Sequence, residues 1–188
     1  MTILDVVMML VAVVIIFLVA AQGLIRALIV SMAFYVVTSL VGVVALSYTG
    51  VTKALSGLTR VLELGWPQSL TYQGLVFLGL GVPMFGMIWF LVGLVLGDVN
   101  LPAIKGVDGI LALLVGVVLA LVVVSVLCNV WGILVSSPWR AYETWSRMYA
   151  AYRGSWSRPY LQQILAIYRQ TLFFFQITRM PGFLVPQL

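Results

Sequence analysis

Histidine is absent from the 188 residues, and cysteine occurs once, at Cys128. Without an imidazole, Ser-His and Cys-His nucleophilic catalysis are excluded within this chain, together with His-rich zinc sites and histidine ligation of haem or chlorophyll. One cysteine forms no internal disulfide, and inside an apolar run it reads as a small hydrophobe. Charge is scarce too: 8% of residues are charged, against about 25% in soluble domains. Neither a paired-carboxylate site nor a phosphate loop is present. The stretch Gly79-Leu80-Gly81 lies inside an apolar run and no lysine follows it. No acid or base falls in the middle of a long apolar segment, where a proton relay would need one. The expectation is a non-enzymatic protein that binds no cofactor or metal.

What the chain has is hydrophobicity. Apolar residues make up 63%, and the mean hydropathy is +1.17, which no water-soluble globule could hide. Four runs reach the roughly 20 residues that a spanning helix needs: residues 3–21, 27–48, 74–96 and 107–135. The fold class is therefore an all-α, four-span membrane protein. A single helix through the first two runs would be about 69 Å long, more than twice the hydrocarbon thickness. The chain must turn at Gln22-Gly23-Leu24-Ile25-Arg26, from which Arg26 can snorkel to the head groups. Residues 51–64 set Lys53, Arg60 and Glu63 against Leu55, Leu58 and Leu62, the pattern of a short interfacial helix. Pro83 predicts a kink in the third span, and Gly97 to Pro102 a turn. The first run lacks the basic start of a signal peptide and reads as a retained span.

Beyond residue 135 the character changes. Six arginines (140, 147, 153, 158, 169 and 179) face one acid, Glu143, whereas the preceding residues balance four against four. Four spans put both termini on one side. With Lys53 and Arg60 that side holds eight basic residues, against Arg26 and Lys105 opposite, so the termini are expected in the cytoplasm. Trp139, Tyr142, Trp145, Tyr149, Tyr152 and Trp156 recur every three or four residues. They predict one aromatic helical face, lying in the membrane interface or packed on protein. Ser157-Arg158-Pro159 predicts a further helix start. Phe183-Leu184-Val185-Pro186 is too short to span and too apolar to stay in water, so a partner surface is expected to hold it. Membrane lipids and other membrane subunits, or further copies of the chain, are the expected partners. No soluble module for reading nucleic acid is present.

Small residues mark candidate packing faces. Ala112, Gly116 and Ala120 follow Asp108 at steps of four, and Gly79, Gly86 and Gly93 share a face with Gly97 in the third span. Such faces let backbones approach closely, which predicts that the third and fourth spans cross there. Asp5 and Asp108 fall in first turns, where a carboxylate meets the positive end of the helix dipole.

Asp5, an apolar run, Gly23 and Arg26 together resemble the opening of the colicin V production protein (CvpA) family. The Asp108–Ala112–Gly116–Ala120 pattern is similar to that family's second signature, with alanine in place of two glycines. Ser157-Arg158-Pro159-Tyr160-Leu161 is similar to the motif that opens its C-terminal helix. Gln22 stands where a basic residue is common, and Leu119 where arginine is frequent. The resemblance implies a four-span protein of the bacterial inner membrane, linked to colicin V production or export and to envelope homeostasis. Relatives that carry a serine protease are excluded by the missing histidine. Three functions are expected in turn: a family-like membrane factor acting through protein contacts, an accessory subunit of a respiratory, photosynthetic or export complex, and an oligomeric channel subunit.

Overall fold

The computed structural model describes residues 2–47, 69–95, 105–136, 143–172 and 180–186. The amphipathic stretch 51–64, the turn after Gly97, and Trp139 and Tyr142 lie outside the described residues. Among those described, the fold is all-α and holds four helical spans long and apolar enough to cross a bilayer: Ile3–Ala20, Leu24–Leu46, Gln73–Val95 and Val107–Val135.

Helix α1 (Ile3–Ala20) turns directly into α2 (Leu24–Ser47). The turn takes three residues because Gly23 adopts φ 80°, a left-handed conformation that costs other residues about 1–2 kcal/mol. Arg26 accordingly sits in the first turn of α2, and the break is shorter than the five residues its polar character suggests. The third span is composite: α3 (Ser69–Val76), a π-helical turn (Phe77–Gly81) and α4 (Val82–Val95). Pro83 has no N–H to offer the carbonyl four residues back, and the wide turn immediately before it absorbs the mismatch.

The fourth span, α5 (Lys105–Val135), is the axis of the fold. At 31 residues it is about 46 Å long, well beyond the hydrocarbon layer. It packs against α1, α2 and α3, and against the tail helices α6 (Glu143–Arg153) and α7 (Arg158–Thr171). Against α1 the packing is tight at Gly116: a Cβ there would lie 3.3 Å from Val19 and 3.4 Å from the Ile16 carbonyl. Ala112 and Ala120 are fully buried on the same helix. Hydroxyls inside the spans bond their own helix, as Thr38 does to the Phe34 carbonyl at 2.8 Å and Ser125 to that of Leu121.

The expected crossing of the third and fourth spans at their glycines is not found. Gly74 does pack on Val130, Ile133 and Leu134 of α5. Beyond the π turn, however, α4 leans on α2, where Phe85 meets Phe34 edge to face at 5.2 Å. Gly79, Gly86 and Gly93 then face open space among the described residues. In the fourth span it is α1 that packs on the small-residue series, at Gly116.

Nor does the apolar end of the tail await a partner surface. Phe183 and Leu184, in a 3-10 turn (Gly182–Leu184), are completely buried in the chain's own bundle. Phe183 stacks at 4.9 Å on Phe77, and Asn129 of α5 donates its Nδ2 to the Phe183 and Val185 carbonyls at 2.7 and 3.0 Å.

Tyr152 of α6 lies against α5 where Gly132 offers no side chain, and a Cβ on Gly132 would overlap the tyrosine ring. Gly132→Ala is therefore expected to destabilise the protein by about 2 kcal/mol through overpacking. Shortening the intruder in the double variant Gly132→Ala/Tyr152→Leu should recover part of that loss. Thermal unfolding of the four corners of this cycle in detergent checks both expectations, and additive losses would show that the two residues do not meet.

Candidate functional site

The polar chemistry of the described chain gathers where α1 begins. Asp5 is 1% exposed although it lies one turn from the helix start. Its Oδ2 accepts the Thr2 backbone N–H at 2.6 Å and the Thr2 hydroxyl at 2.9 Å. That is the carboxylate half of a capping box, satisfying an N–H that the helix itself cannot. Its Oδ1 accepts from the other end of the chain: the Ser155 hydroxyl at 2.5 Å, the Ser157 hydroxyl at 2.7 Å and the Ser157 backbone N–H at 3.2 Å.

Ser157 is the N-cap of α7, and Pro159 stands in that helix's first turn. One carboxylate therefore closes two helix N-termini, and the partial positive charges of both dipoles converge on it. Two of the segments that carry the family resemblance, Asp5 and Ser157-Arg158-Pro159, meet here. A second meeting occurs at the far end of the bundle, where Asp108 Oδ1 accepts the Leu24 N–H at 3.2 Å. There the first turn of the fourth span clamps the Gly23 hairpin, and Arg26 lies half-buried beside it on α2.

The aromatic stripe is divided. Helix α6 ends at Arg153, Gly154 follows in a turn, and the pull of Asp5 on Ser155 and Ser157 redirects the chain. Trp156 thus leaves the helical face it was expected to share with Tyr152. Trp145 and Tyr149 are half-buried on α6, Tyr152 is buried against Gly132, and Trp156 points outward with 69% of its surface exposed. The Arg158 guanidinium lies 4.8 Å from the centre of the Tyr152 ring, a cation–π contact. On the outer face of α6, Glu143 and Arg147 form an exposed ion pair one turn apart, worth only tenths of a kcal/mol.

At its other end α7 is tied to the second span. The Tyr35 hydroxyl donates to the Thr171 carbonyl at 2.7 Å, and Tyr168 packs between Phe34 and Tyr35, 6.2 and 6.4 Å away. Burial pushes the Tyr168 hydroxyl up to about 12, so it stays protonated at any physiological pH. Sequence reasoning placed Asp5 and Ser157 separately and did not join them. It also passed over Ser155, Asn129 and Gly132. Asn129 carried a signal, being the one asparagine in the apolar run 107–135.

Alongside the junction lies an open apolar groove of about 400 Å³. It is lined by Ala12 of α1, Leu121 and Val124 of α5, the aromatic residues Trp156 and Tyr160, and the polar residues Asp5 and Ser157. Cys128 is buried close by with Leu4, Met8 and Leu161. The arrangement can hold helices in register and leaves an apolar recess beside them. No protein-family model, curated protein or solved structure matches the chain.

Asp5→Ala strands five donors on three buried or half-buried residues, Thr2, Ser155 and Ser157. It should cost about 3 kcal/mol, the order expected for hydrogen bonds to a charged group. The loss should appear as faster amide hydrogen exchange at residues 155–160 than at 105–120, with α7 released before the spans open. Uniform exchange across both segments would mean that the junction does not hold the tail.

Proposed function

We propose that the chain is a CvpA-like, non-enzymatic integral membrane protein of the bacterial inner membrane that works by binding other membrane-embedded chains. The observation that carries the reading is a face of α4 that no other described residue covers. No residue of Val82–Val95 is buried. Gly79, Gly86 and Gly93 leave a backbone-deep track along that side, with Met87, Phe90 and Leu94 exposed beside it. A bilayer offers no hydrophobic gain for covering such a face, yet close backbone approach brings dispersion and weak hydrogen bonding that lipid tails match poorly.

The family part of the reading is supported by the two meetings above, in which Asp5 joins Ser157 and Asp108 joins the Gly23 hairpin. Motifs that resemble a family's signatures then have a common purpose: they fix one four-span architecture. Leu119, where the family often carries arginine, lies in the apolar core, so a function that depends on that cation does not extend to this chain. The cytoplasmic placement of the termini rests on charge. Thr2 and Gly154 adjoin each other at one end of the bundle, which gathers Arg147, Arg153 and Arg158 on the side of the N-terminus, while Arg26 marks the opposite end.

An accessory subunit of a larger respiratory, photosynthetic or export complex would use the same face of α4, and the identity of what binds there separates it from the family-like reading. The channel reading draws no support: Asp108, which would line a mouth, is engaged with the Leu24 N–H.

The test uses the buried position of Cys128, which leaves an introduced surface thiol as the reactive one. Met87→Cys, oxidised in native membranes, should yield a discrete cross-linked species. Gly86→Leu in the same background should reduce it several-fold without changing the melting temperature. A monomer in every preparation, or a cross-link indifferent to Gly86→Leu, would end the proposal.

A further inference from the structure

Helix α7 begins at one end of the bundle and finishes halfway along it. Asp5 is the third residue of the span Ile3–Ala20, so Ser157, whose hydroxyl meets it at 2.7 Å, starts α7 close to the membrane boundary. The other end of α7 is fixed by Tyr35, whose hydroxyl donates to the Thr171 carbonyl at 2.7 Å. Tyr35 stands eleven residues from either end of the span Leu24–Leu46. That is about 16 Å along the helix from each boundary, the middle of the hydrocarbon layer. Tyr168, one turn before Thr171, packs on Phe34 at the same level, ring centroids 6.2 Å apart. By Phe183 the chain is back toward the side where α7 began. There Phe183 stacks on Phe77 and its carbonyl accepts from Asn129, and these two lie only four and six residues inside the ends of their spans.

The end of α7 is finished for a dry setting. In the membrane interface, water would satisfy the last carbonyls of a helix. Here the chain takes them itself: the Thr171 hydroxyl donates to the Tyr168 carbonyl at 2.7 Å, the Leu172 N–H to that of Arg169 at 3.2 Å, and Tyr35 to that of Thr171. Hydrocarbon demands internal partners of this kind. Gln170 is engaged within the protein as well. Arg169, half-buried in the last turn, stands at the negative end of the helix dipole, which favours a cation. Leu161, Leu165 and Leu172 are buried on the inner side, and Ile167 is 64% exposed on the outer one.

We propose that α7 is a re-entrant helix: it enters the bilayer from the side of the N-terminus, slants to the midplane over α5 and α2, and sets Ile167 against acyl chains. A short amphipathic helix ordinarily lies in the interface plane, its apolar stripe in the head-group boundary. In α7 that stripe is taken by the spans, and the Asp5 and Tyr35 anchors hold its two ends at different depths. The placement does not depend on what α4 binds.

The test is spin labelling of the full chain in liposomes, with the buried Cys128 left in place. Nitroxides are attached at Tyr160→Cys and at Ile167→Cys, both exposed positions, about 10 Å apart along the helix axis. The ratio of collision rates with oxygen to those with a water-soluble nickel chelate should be several-fold higher at 167 than at 160. A membrane-impermeant maleimide, which needs no nitroxide, should react several-fold faster with Trp156→Cys than with Ile167→Cys. Equal ratios at 160 and 167, with both labels open to the nickel chelate, would place α7 flat in the interface and overturn the proposal. A label at 167 shielded from oxygen and nickel alike would overturn it too, since protein and not acyl chains would then lie against that face.

Discussion

A carboxylate shared by two helix N-termini is the constraint on which the tail of this protein depends. Asp5 accepts five hydrogen bonds from groups that lie at opposite ends of the chain, 150 and 152 residues apart where Ser155 and Ser157 are concerned. A carboxylate is suited to this because, ionised, it only accepts, and its four lone pairs can serve several donors at once. Each helix brings N–H groups that its own backbone cannot satisfy. Joining them at one acceptor removes two sets of orphans from an apolar setting where water would not supply the missing partner. The cost is a fixed geometry: α7 can begin only where α1 begins.

Once that point is set, the other tail contacts follow as a series of polar or shape-specific anchors on an apolar bundle. Tyr152 finds the gap at Gly132, the Thr171 carbonyl meets the Tyr35 hydroxyl, and the Phe183 and Val185 carbonyls meet the Asn129 amide. Apolar packing alone would not select these positions, since one lipid-facing valine surface resembles another. Buried hydrogen bonds do select them, because an unmade one costs about 1–3 kcal/mol. The tail is thereby a docked layer with a defined register on the spans, with Trp156, Tyr160 and Ile167 left on its outer side.

The spans were legible because hydrocarbon thickness and hydropathy decide them locally; any 20-residue apolar run answers the question by itself. Asp5 and Asp108 were placed correctly in first turns on the same local grounds. The start of the last tail helix at Ser157-Arg158-Pro159 was legible on local grounds as well, but the docking of the tail was not, since each anchor is a single residue whose partner stands far off in sequence. Nothing local distinguishes Ser155 from any other serine in a turn, or Gly132 from a glycine that is merely tolerated. Trp156 shows the limit of periodicity. It continues the spacing of Tyr149 and Tyr152, yet the hydrogen bonds to Asp5 end the helix before it, and a tertiary contact overrides the repeat.

The third span shows why small-residue spacing could not say which helices cross. Glycines at 79, 86 and 93 and the Ala112–Gly116–Ala120 series both describe a flat helix face, and a flat face specifies only that a neighbour can come close. Occupancy is settled by connectivity. The three-residue turn at Gly23 and the Asp108 clamp bring the hairpin to the start of α5, so α1 takes its small-residue face at Gly116. The tail helices and the Phe183 turn then cover the other end of α5. What remains for the third span is the short stretch at Gly74. Past it, the π turn and Pro83 direct α4 onto Phe34 of α2 with its glycines outward. The same kind of surface is thus spent inside the molecule in one span and presented to the membrane in another. The difference lies in which side of the central helix had already been taken.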